Sequence, residues 1–268
     1  MTKDDLNAEA DDMTKLLLLL AAVTKPLSLS LDSSIVPQIG EEKGLEAQRA
    51  LTMTIAGLML DVVRTTWLCA KNGAYRQLQV LDRQAFELST RSAFYADNAD
   101  VADKHWRSTN KHFIRVARKM HGDGTPDFLA FENSVLTDDA GFSSGTNAQT
   151  SNKPNFEDMC KNVYGDERGV LYYAGHYSVP SAVAHGSPAA FACVFEQVDK
   201  GYRLRTSPGM VNVPFALKAI SQSGINAAAS IAYLFRAPVV AKGVVLCEQF
   251  YDSFGFDKHL LLKRNFAI

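Results

Sequence analysis

The segment 41–72 constrains the fold more than any other part of the chain. It combines good helix formers, no proline and apolar residues on several sides of a helix. Gly57 is a weak point in its interior, and Gly73 ends the pattern. A helix that is apolar on several sides has to be covered by other elements. The segment therefore predicts a long central helix inside a bundle.

The remainder of the chain carries helical patterns and no alternation of strands with helices. A first helix over 4–24 is expected to end at Pro26. Apolar residues make up 47% of the sequence, which is enough for a sizeable core. We predict an all-α protein, a single multi-helix bundle that forms one domain over 1–268. Its parts are an N-terminal helix and linker (1–37), bundle helices (41–120 and 156–266), a long, flexible polar insertion (121–155) and a small hairpin around 197–210.

Charge and cysteine usage exclude some classes of protein. Lys and Arg number 28 against 29 Asp and Glu, so a net charge of −1 argues against a protein that binds polyanions with its whole surface, though not against a local basic patch. The four cysteines stand far apart and form no Cys-x-x-Cys pair, which predicts reduced thiols. The longest apolar run, 16–23, is far shorter than the about 20 residues of a membrane-spanning helix, and no export signal precedes it. We expect a cytoplasmic protein with no membrane partner.

The segment 172–188, YYAGHYSVPSAVAHGSP, holds the most informative polar pattern. Tyr177, Ser181 and His185 follow one another at intervals of four, so a helix would place them on one face. Pro180 removes a hydrogen bond and disfavours α geometry at the residue before it, which predicts a kink or a new helix start near residue 178. A histidine at a helix end lies where functional side chains often reach solvent.

A second pattern lies on the helix predicted over 74–95, where Arg83 and Glu87 form an i, i+4 pair. One interpretation is a solvated ion pair, worth under about 1 kcal/mol. The other is that both side chains point into a polar cleft.

Together, the helix YRQLQVLDRQAFELSTRSAFYADNADVA and the segment HYSVPSAVAHGSP resemble a widespread bacterial all-helical family, domain of unknown function 5677. Its members carry an Arg-x-x-x-Glu helix and, much later, a Tyr-x-x-x-Ser-x-x-x-His segment that ends in a small residue and proline. The resemblance covers roughly 50–235 and departs at Pro180, where a leucine is expected. It implies a helical fold and no particular reaction. The site that it implies consists of Arg83, Glu87, Tyr177, Ser181 and His185.

Several interpretations of His185 stay open. It is a core histidine bound to a carbonyl, or it is a general base, with Arg83 stabilising negative charge and Glu87 orienting a partner. Several bacterial all-α toxin and abortive-infection nucleases use an arginine and a histidine in this way, within an Arg-x-x-x-x-His motif, although no arginine closely precedes His185 here. Metal would require Glu87 and His185 to meet across helices, since no pair of histidines has the spacing of a helical zinc site. We expect no metal and no cofactor.

These interpretations lead to two hypotheses of function. The first is a phage-defence or stress-associated, ribonuclease-like phosphodiesterase that acts on RNA or a nucleotide, with Tyr177 and Ser181 in the same site as His185. The second is a non-catalytic binding or oligomerisation module, in which the same side chains form a structural polar network.

A basic stripe is predicted on the helix over 100–120, where cations recur every three or four residues. A solvated helix face is one interpretation. The others are a contact with the phosphates of RNA, with an acidic protein surface, or with a second copy of the chain in a homo-oligomer. The stripe consists of Lys104, Arg107, Lys111, Arg115 and Arg118.

Overall fold

The computed structural model describes residues 3–32, 34, 46–122, 124–127, 129–130, 154–184, 195–204, 213–264 and 266. Within these ranges the side chains of 3–10, 107–114, 182–184, 195–196 and 204 are not described. The predicted all-α class is confirmed: the described chain is mostly helical and has one small sheet. The elements are α1 (Lys3–Leu29), α2 (Glu46–Lys71), α3 (Gln77–Asp97), α4 (Ala99–His121), α5 (Phe156–Tyr164), α6 (Asp166–Tyr172), a π-helical segment (Tyr173–Ser178), α7 (Val179–Ala184), β1 (Phe195–Val198), β2 (Gly201–Leu204), α8 (Val213–Leu234) and α9 (Pro238–Phe254).

The helix α8 lies at the centre of the bundle. Every residue from 219 to 232 is buried, and α8 packs against α1, α2, α3 and α9. Its small side chains permit this close packing, since a Cβ atom added to Gly224 would lie 2.6 Å from Cγ1 of Val23 on α1. The central position that the sequence predicted for 41–72 therefore belongs to α8. The helix α2 keeps one side exposed to solvent.

By length and composition α2 could also cross a membrane, and it is the one such helix in the described part of the chain. Its most apolar stretch has a mean hydropathy of 1.3, and 44% of that stretch is buried inside the bundle. Core helices of soluble proteins have the same character, and α2 packs against α1, α3 and α8. The absence of a membrane partner and the cytoplasmic location stay predictions.

The helix α1 continues through Pro26 to Leu29, so the prediction that Pro26 ends it is wrong. A proline inside a helix removes one hydrogen bond. Here the ring packs closely on α9, where a Cβ atom added to Gly243 would lie 3.0 Å from Cβ of Pro26. Leu27 in the same turn is fully buried in the core, and Oγ of Ser30 donates to the Pro26 carbonyl at 2.7 Å. Packing on both sides of the turn outweighs the lost hydrogen bond.

A C-terminal strap (255–264) follows α9 and runs back across α8. Two buried amides on α8, Gln222 and Asn226, bind its backbone. Each amide donates to one strap carbonyl and accepts from one strap N–H, at distances of 2.7–3.0 Å. Gln222 binds the Asp257 carbonyl and the Leu260 N–H, and Asn226 binds the Leu260 carbonyl and the Leu262 N–H.

The two strands form an antiparallel hairpin in which Phe195 pairs with Leu204. This confirms the hairpin predicted around 197–210, displaced by a few residues towards the N terminus. In the predicted insertion 121–155, the N–H of Leu129 donates to the Thr125 carbonyl as in a helical turn. Most of that insertion lies outside the described residues, and the single domain over 1–268 stays a prediction.

Candidate functional site

The helix that carries the predicted site residues contains a π-helical turn. The helix α6, the π-helical segment and α7 follow one another directly, and the N–H of Val179 donates to the carbonyl of Ala174, five residues earlier. Pro180 explains this bonding, because it has no N–H for the carbonyl of His176, four residues earlier. Such turns are rare and frequently occur at functional sites. The interruption predicted near residue 178 is confirmed and takes this form.

The π-helical segment places His176 against Asp82 of α3. Nδ1 of His176 lies 3.2 Å from Oδ2 and 3.4 Å from Oδ1 of Asp82. The two residues are 3% and 4% exposed. Phe86 and Phe215 cover the imidazole, with ring centroids 5.3 and 5.1 Å from its own. Two titratable groups are therefore enclosed among aromatic side chains.

The environment of this pair alters the pKa of the Asp82 carboxyl. Burial raises that pKa, and the hydrogen bond with His176 opposes part of the rise. When Asp82 is ionised, its carboxylate only accepts hydrogen bonds, and the imidazole proton then lies on Nδ1. The other ring nitrogen, Nε2, then carries a lone pair, which is the tautomer that a general base needs.

Beside this pair, Arg83 of α3 meets Tyr177, so consecutive residues of α3 contact consecutive residues of the π-helical segment. Cζ of Arg83 lies 4.9 Å from the ring centroid of Tyr177, in a cation–π contact. Nε of Arg83 is buried and has no hydrogen-bond partner among the described residues. The same is true of Oγ of Ser181, one turn after Tyr177. We call Asp82, Arg83, His176, Tyr177 and Ser181 the polar cluster.

Glu87 has a different partner from the one expected. Its Oε1 accepts hydrogen bonds from Nε and Nη2 of Arg91, at 3.1 and 2.9 Å. The predicted pair of Arg83 with Glu87 is therefore wrong. An arginine lies four residues away on each side of Glu87, and an acid that precedes its cation along a helix forms the more favourable pair.

Aromatic rings adjoin the polar cluster on the side of α5. The ring centroid of Phe156 lies 4.5 Å from that of Tyr177, and Tyr173 stacks on Tyr177 at 5.4 Å. Cζ of Arg91 lies 5.5 Å from the Phe156 ring. Two arginines of α3 thus each contact an aromatic ring from a neighbouring element.

The sequence pattern missed Asp82 and His176. It placed the histidine of the site at His185, which lies outside the described residues. A signal for Asp82 was present, because the residues one turn away on either side, Leu78 and Phe86, are apolar and fully buried or nearly so. A carboxylate at such a position needs a buried partner. His176 gave no such signal, since a π-helical turn changes which residues share a face.

The structure describes the side chains of only some members of the basic stripe on α4. Three of its members have exposed side chains, and the other two have side chains outside the described ones. The exposed ones are Lys104, Arg115 and Arg118, and the others are Arg107 and Lys111.

The polar cluster offers a proton acceptor, a guanidinium N–H and a hydroxyl, a set that suits an anionic substrate. Nowhere in the described ranges do three side chains of His, Cys, Asp or Glu come close enough to hold a metal ion. Comparisons of the chain with protein families, curated proteins and solved structures found no match. The likeness to the bacterial family therefore stays a prediction, and the argument for function rests on this geometry.

Proposed function

We propose that the protein binds RNA or a nucleotide at the polar cluster and cleaves a phosphodiester bond there. The cellular role that we propose with it is phage defence or a stress response in a bacterium. Arg83 and Ser181 hold the phosphate, His176 with Asp82 transfers the proton, and the rings beside Tyr177 contact a base.

The observation that carries the proposal is the pair of buried donors without partners. Polar groups that are buried in folded proteins nearly always have a hydrogen-bond partner, so each exception requires an explanation. Nε of Arg83 and Oγ of Ser181 lie on facing helices and both donate. An anionic oxygen between the two helices would accept from both, and hydrogen bonds from arginine to phosphate are among the strong ones.

The acid–base part of the proposal follows from the neighbouring pair. With its proton on Nδ1, His176 takes the proton of the attacking hydroxyl or water on Nε2. The imidazolium returns that proton to the oxygen that leaves phosphorus. Asp82 stabilises the imidazolium and keeps the ring oriented, as the acid does in a Ser-His-Asp triad. Arg83 stabilises the charge that develops on the phosphoryl oxygens.

The aromatic rings extend the same argument to the base. Single-stranded RNA is recognised largely by stacking of its bases on aromatic and guanidinium planes. Tyr173, Tyr177 and Phe156 lie within 4.5–6.2 Å of one another, measured between ring centroids. The exposed cations of the basic stripe offer further phosphate contacts.

The test compares Arg83→Met with wild type on labelled single-stranded RNA and on nucleotides, with and without divalent metal. We expect Arg83→Met to fold, to bind RNA ~10-fold more weakly or worse, and to lower the salt slope of binding by about one. The matched control is Arg64→Met, because Arg64 is an exposed arginine on α2. RNA binding that is equal in Arg83→Met and wild type contradicts the proposal.

Asp82→Asn separates catalysis from binding. The asparagine keeps the size of the side chain and an acceptor for Nδ1–H, so RNA binding should be unchanged. It cannot stabilise an imidazolium, so kcat should fall.

A second candidate function is a non-catalytic binding module. The observation in its favour is the burial of the Asp82–His176 pair, since fully enclosed networks often serve to fix helix packing. This function predicts neither RNA binding nor cleavage, together with a large loss of thermal stability in Asp82→Asn.

A further inference from the structure

A cavity of about 170 Å³ lies where α8 ends and α9 begins. Its walls are Tyr233, Arg236, Phe266 and small side chains, and it shares no residue with the polar cluster. Arg264 fixes one wall: its Cζ lies 4.7 Å over the Tyr233 ring, and its guanidinium forms a bidentate ion pair with Asp97 at 2.7 and 2.9 Å. The cavity therefore has a rigid aromatic side.

Arg236 has a backbone conformation that does not suit its residue type. Its φ is +49°, and every other residue of positive φ in the described chain is a glycine. The N–H of Ala237 donates to the Ala232 carbonyl and that of Arg236 to the Tyr233 carbonyl, the Schellman pattern in which glycine is preferred at the left-handed position. Stability alone therefore favours glycine here. A strained residue of this kind points to a function for its side chain.

The charges around the cavity favour an anion. Arg236 is exposed and forms no ion pair with the rest of the described chain, and none of the described residues that line the cavity is a carboxylate. Ala237, the N-cap of α9, and Pro238, its first residue, line it too, so the positive end of the helix dipole faces it. These two features add to the strained arginine as independent reasons to expect a negative group.

The size and walls of the cavity define the rest of the ligand. An apolar cavity of about 150 Å³ takes up a benzene molecule, and this one is slightly larger. We propose that the cavity binds a small monocarboxylate with an aromatic or short aliphatic body. The carboxylate is held by the guanidinium of Arg236, and the body packs against Tyr233 and Phe266.

The test uses benzoate as the probe and benzyl alcohol as its neutral counterpart, titrated calorimetrically against the full chain. We expect wild type to bind benzoate more tightly than benzyl alcohol. In Arg236→Gly, benzoate binding should weaken ~10-fold or more, while benzyl alcohol binding is unchanged. The melting temperature of this variant without ligand should equal or exceed that of wild type, because glycine suits the left-handed position.

Two further variants test whether benzoate binds at Arg236 or at the polar cluster. Arg236→Asn retains a residue that tolerates positive φ and should lose benzoate binding as Arg236→Gly does. Arg83→Met alters the polar cluster and should bind benzoate like wild type. Equal benzoate affinity in wild type and Arg236→Gly overturns the proposal, and so does an absence of benzoate binding by wild type.

Discussion

Two polar regions of this bundle are built in opposite ways. At the C-terminal strap, the amides of Gln222 and Asn226 each make two hydrogen bonds to the backbone. In the polar cluster, Nε of Arg83 and Oγ of Ser181 are buried without a partner in the described chain. Both regions lie against helices of the core. The amide contacts that hold the strap are complete without a ligand, whereas the cluster has unused hydrogen-bonding capacity.

This contrast separates polar residues that hold the fold from polar residues available for chemistry. Satisfied buried polar groups rigidify a structure, and removing one leaves its partners unpaired at a cost of about 1–3 kcal/mol each. A buried donor without a partner lowers stability, so its removal costs little or stabilises the fold. The two regions should therefore respond differently to equivalent substitutions.

The largest effect is expected at the strap. Asn226→Ala leaves the Leu260 carbonyl and the Leu262 N–H unpaired and opens a small cavity. We expect the free energy of unfolding to fall by about 3 kcal/mol, measured by urea denaturation.

The matched control is Ser223→Ala on the same helix. Ser223 is 1% exposed, and its Oγ has no hydrogen-bond partner among the described residues. This variant should lie within about 0.5 kcal/mol of wild type. If Asn226→Ala and Ser223→Ala lower the free energy of unfolding by similar amounts, the hydrogen bonds of the Asn226 amide do not explain the stability of the strap.

A smaller effect is expected from the charge of Asp82. Because burial raises its pKa above the ordinary value of 3.8, the folded protein binds this proton more firmly than the unfolded chain does. The free energy of unfolding should therefore fall as pH rises from 3.8 to the folded-state pKa, with a slope of at most about 1.4 kcal/mol per pH unit. Asp82→Asn lacks this fall. Urea denaturation of both proteins across that range measures the difference, and parallel profiles would argue against a carboxyl perturbed by burial.

The helices and their order follow from the sequence more readily than the site does. Apolar periodicity predicts helices over about 211–235 and 239–254, and the bounds of α8 and α9 lie within two residues of these, because regular helices bury a regular pattern. The continuation of α1 through Pro26 could not be predicted, since it depends on the packing of Gly243 against that ring. Local propensity contains no information about such a tertiary contact.

For the candidate site, helical spacing predicted Arg83, Tyr177 and Ser181. The structure brings these three residues to the interface of α3 with the π-helical segment and α7. Spacing could not give Asp82 with His176, because their contact joins two helices that are far apart in sequence and one of the two is π-helical there. It also paired Glu87 with the wrong arginine, since both choices have the same spacing. Two things favour Arg91 over Arg83 as the partner of Glu87. An acid that precedes its cation along the helix forms the better pair, and the Tyr177 ring binds the guanidinium of Arg83.

The strap should show the opposite pH dependence from the cluster. Burial, together with the neighbouring His176, lowers the pKa of His259 from its ordinary value of 6.5. The unfolded chain therefore binds this proton more firmly, and the free energy of unfolding should rise with pH until about 6.5. His259→Gln should remove that rise. A profile unchanged by the substitution would mean that His259 titrates alike in both states.

The smallest effect on stability, and the sharpest test of the contrast, is expected at Ser181. Ser181→Ala removes a hydroxyl that has no partner in the described chain, so the free energy of unfolding should change by less than about 0.5 kcal/mol. Ser230→Ala is the matched control, because its Oγ donates to the Asn226 carbonyl at 2.9 Å and its loss should cost about 1 kcal/mol. In RNA binding the order should reverse, with Ser181→Ala weakened and Ser230→Ala unchanged. A serine that matters for RNA and not for folding is what an unfilled phosphate site requires, whereas the reverse result would assign Ser181 to the packing of α7 on α3.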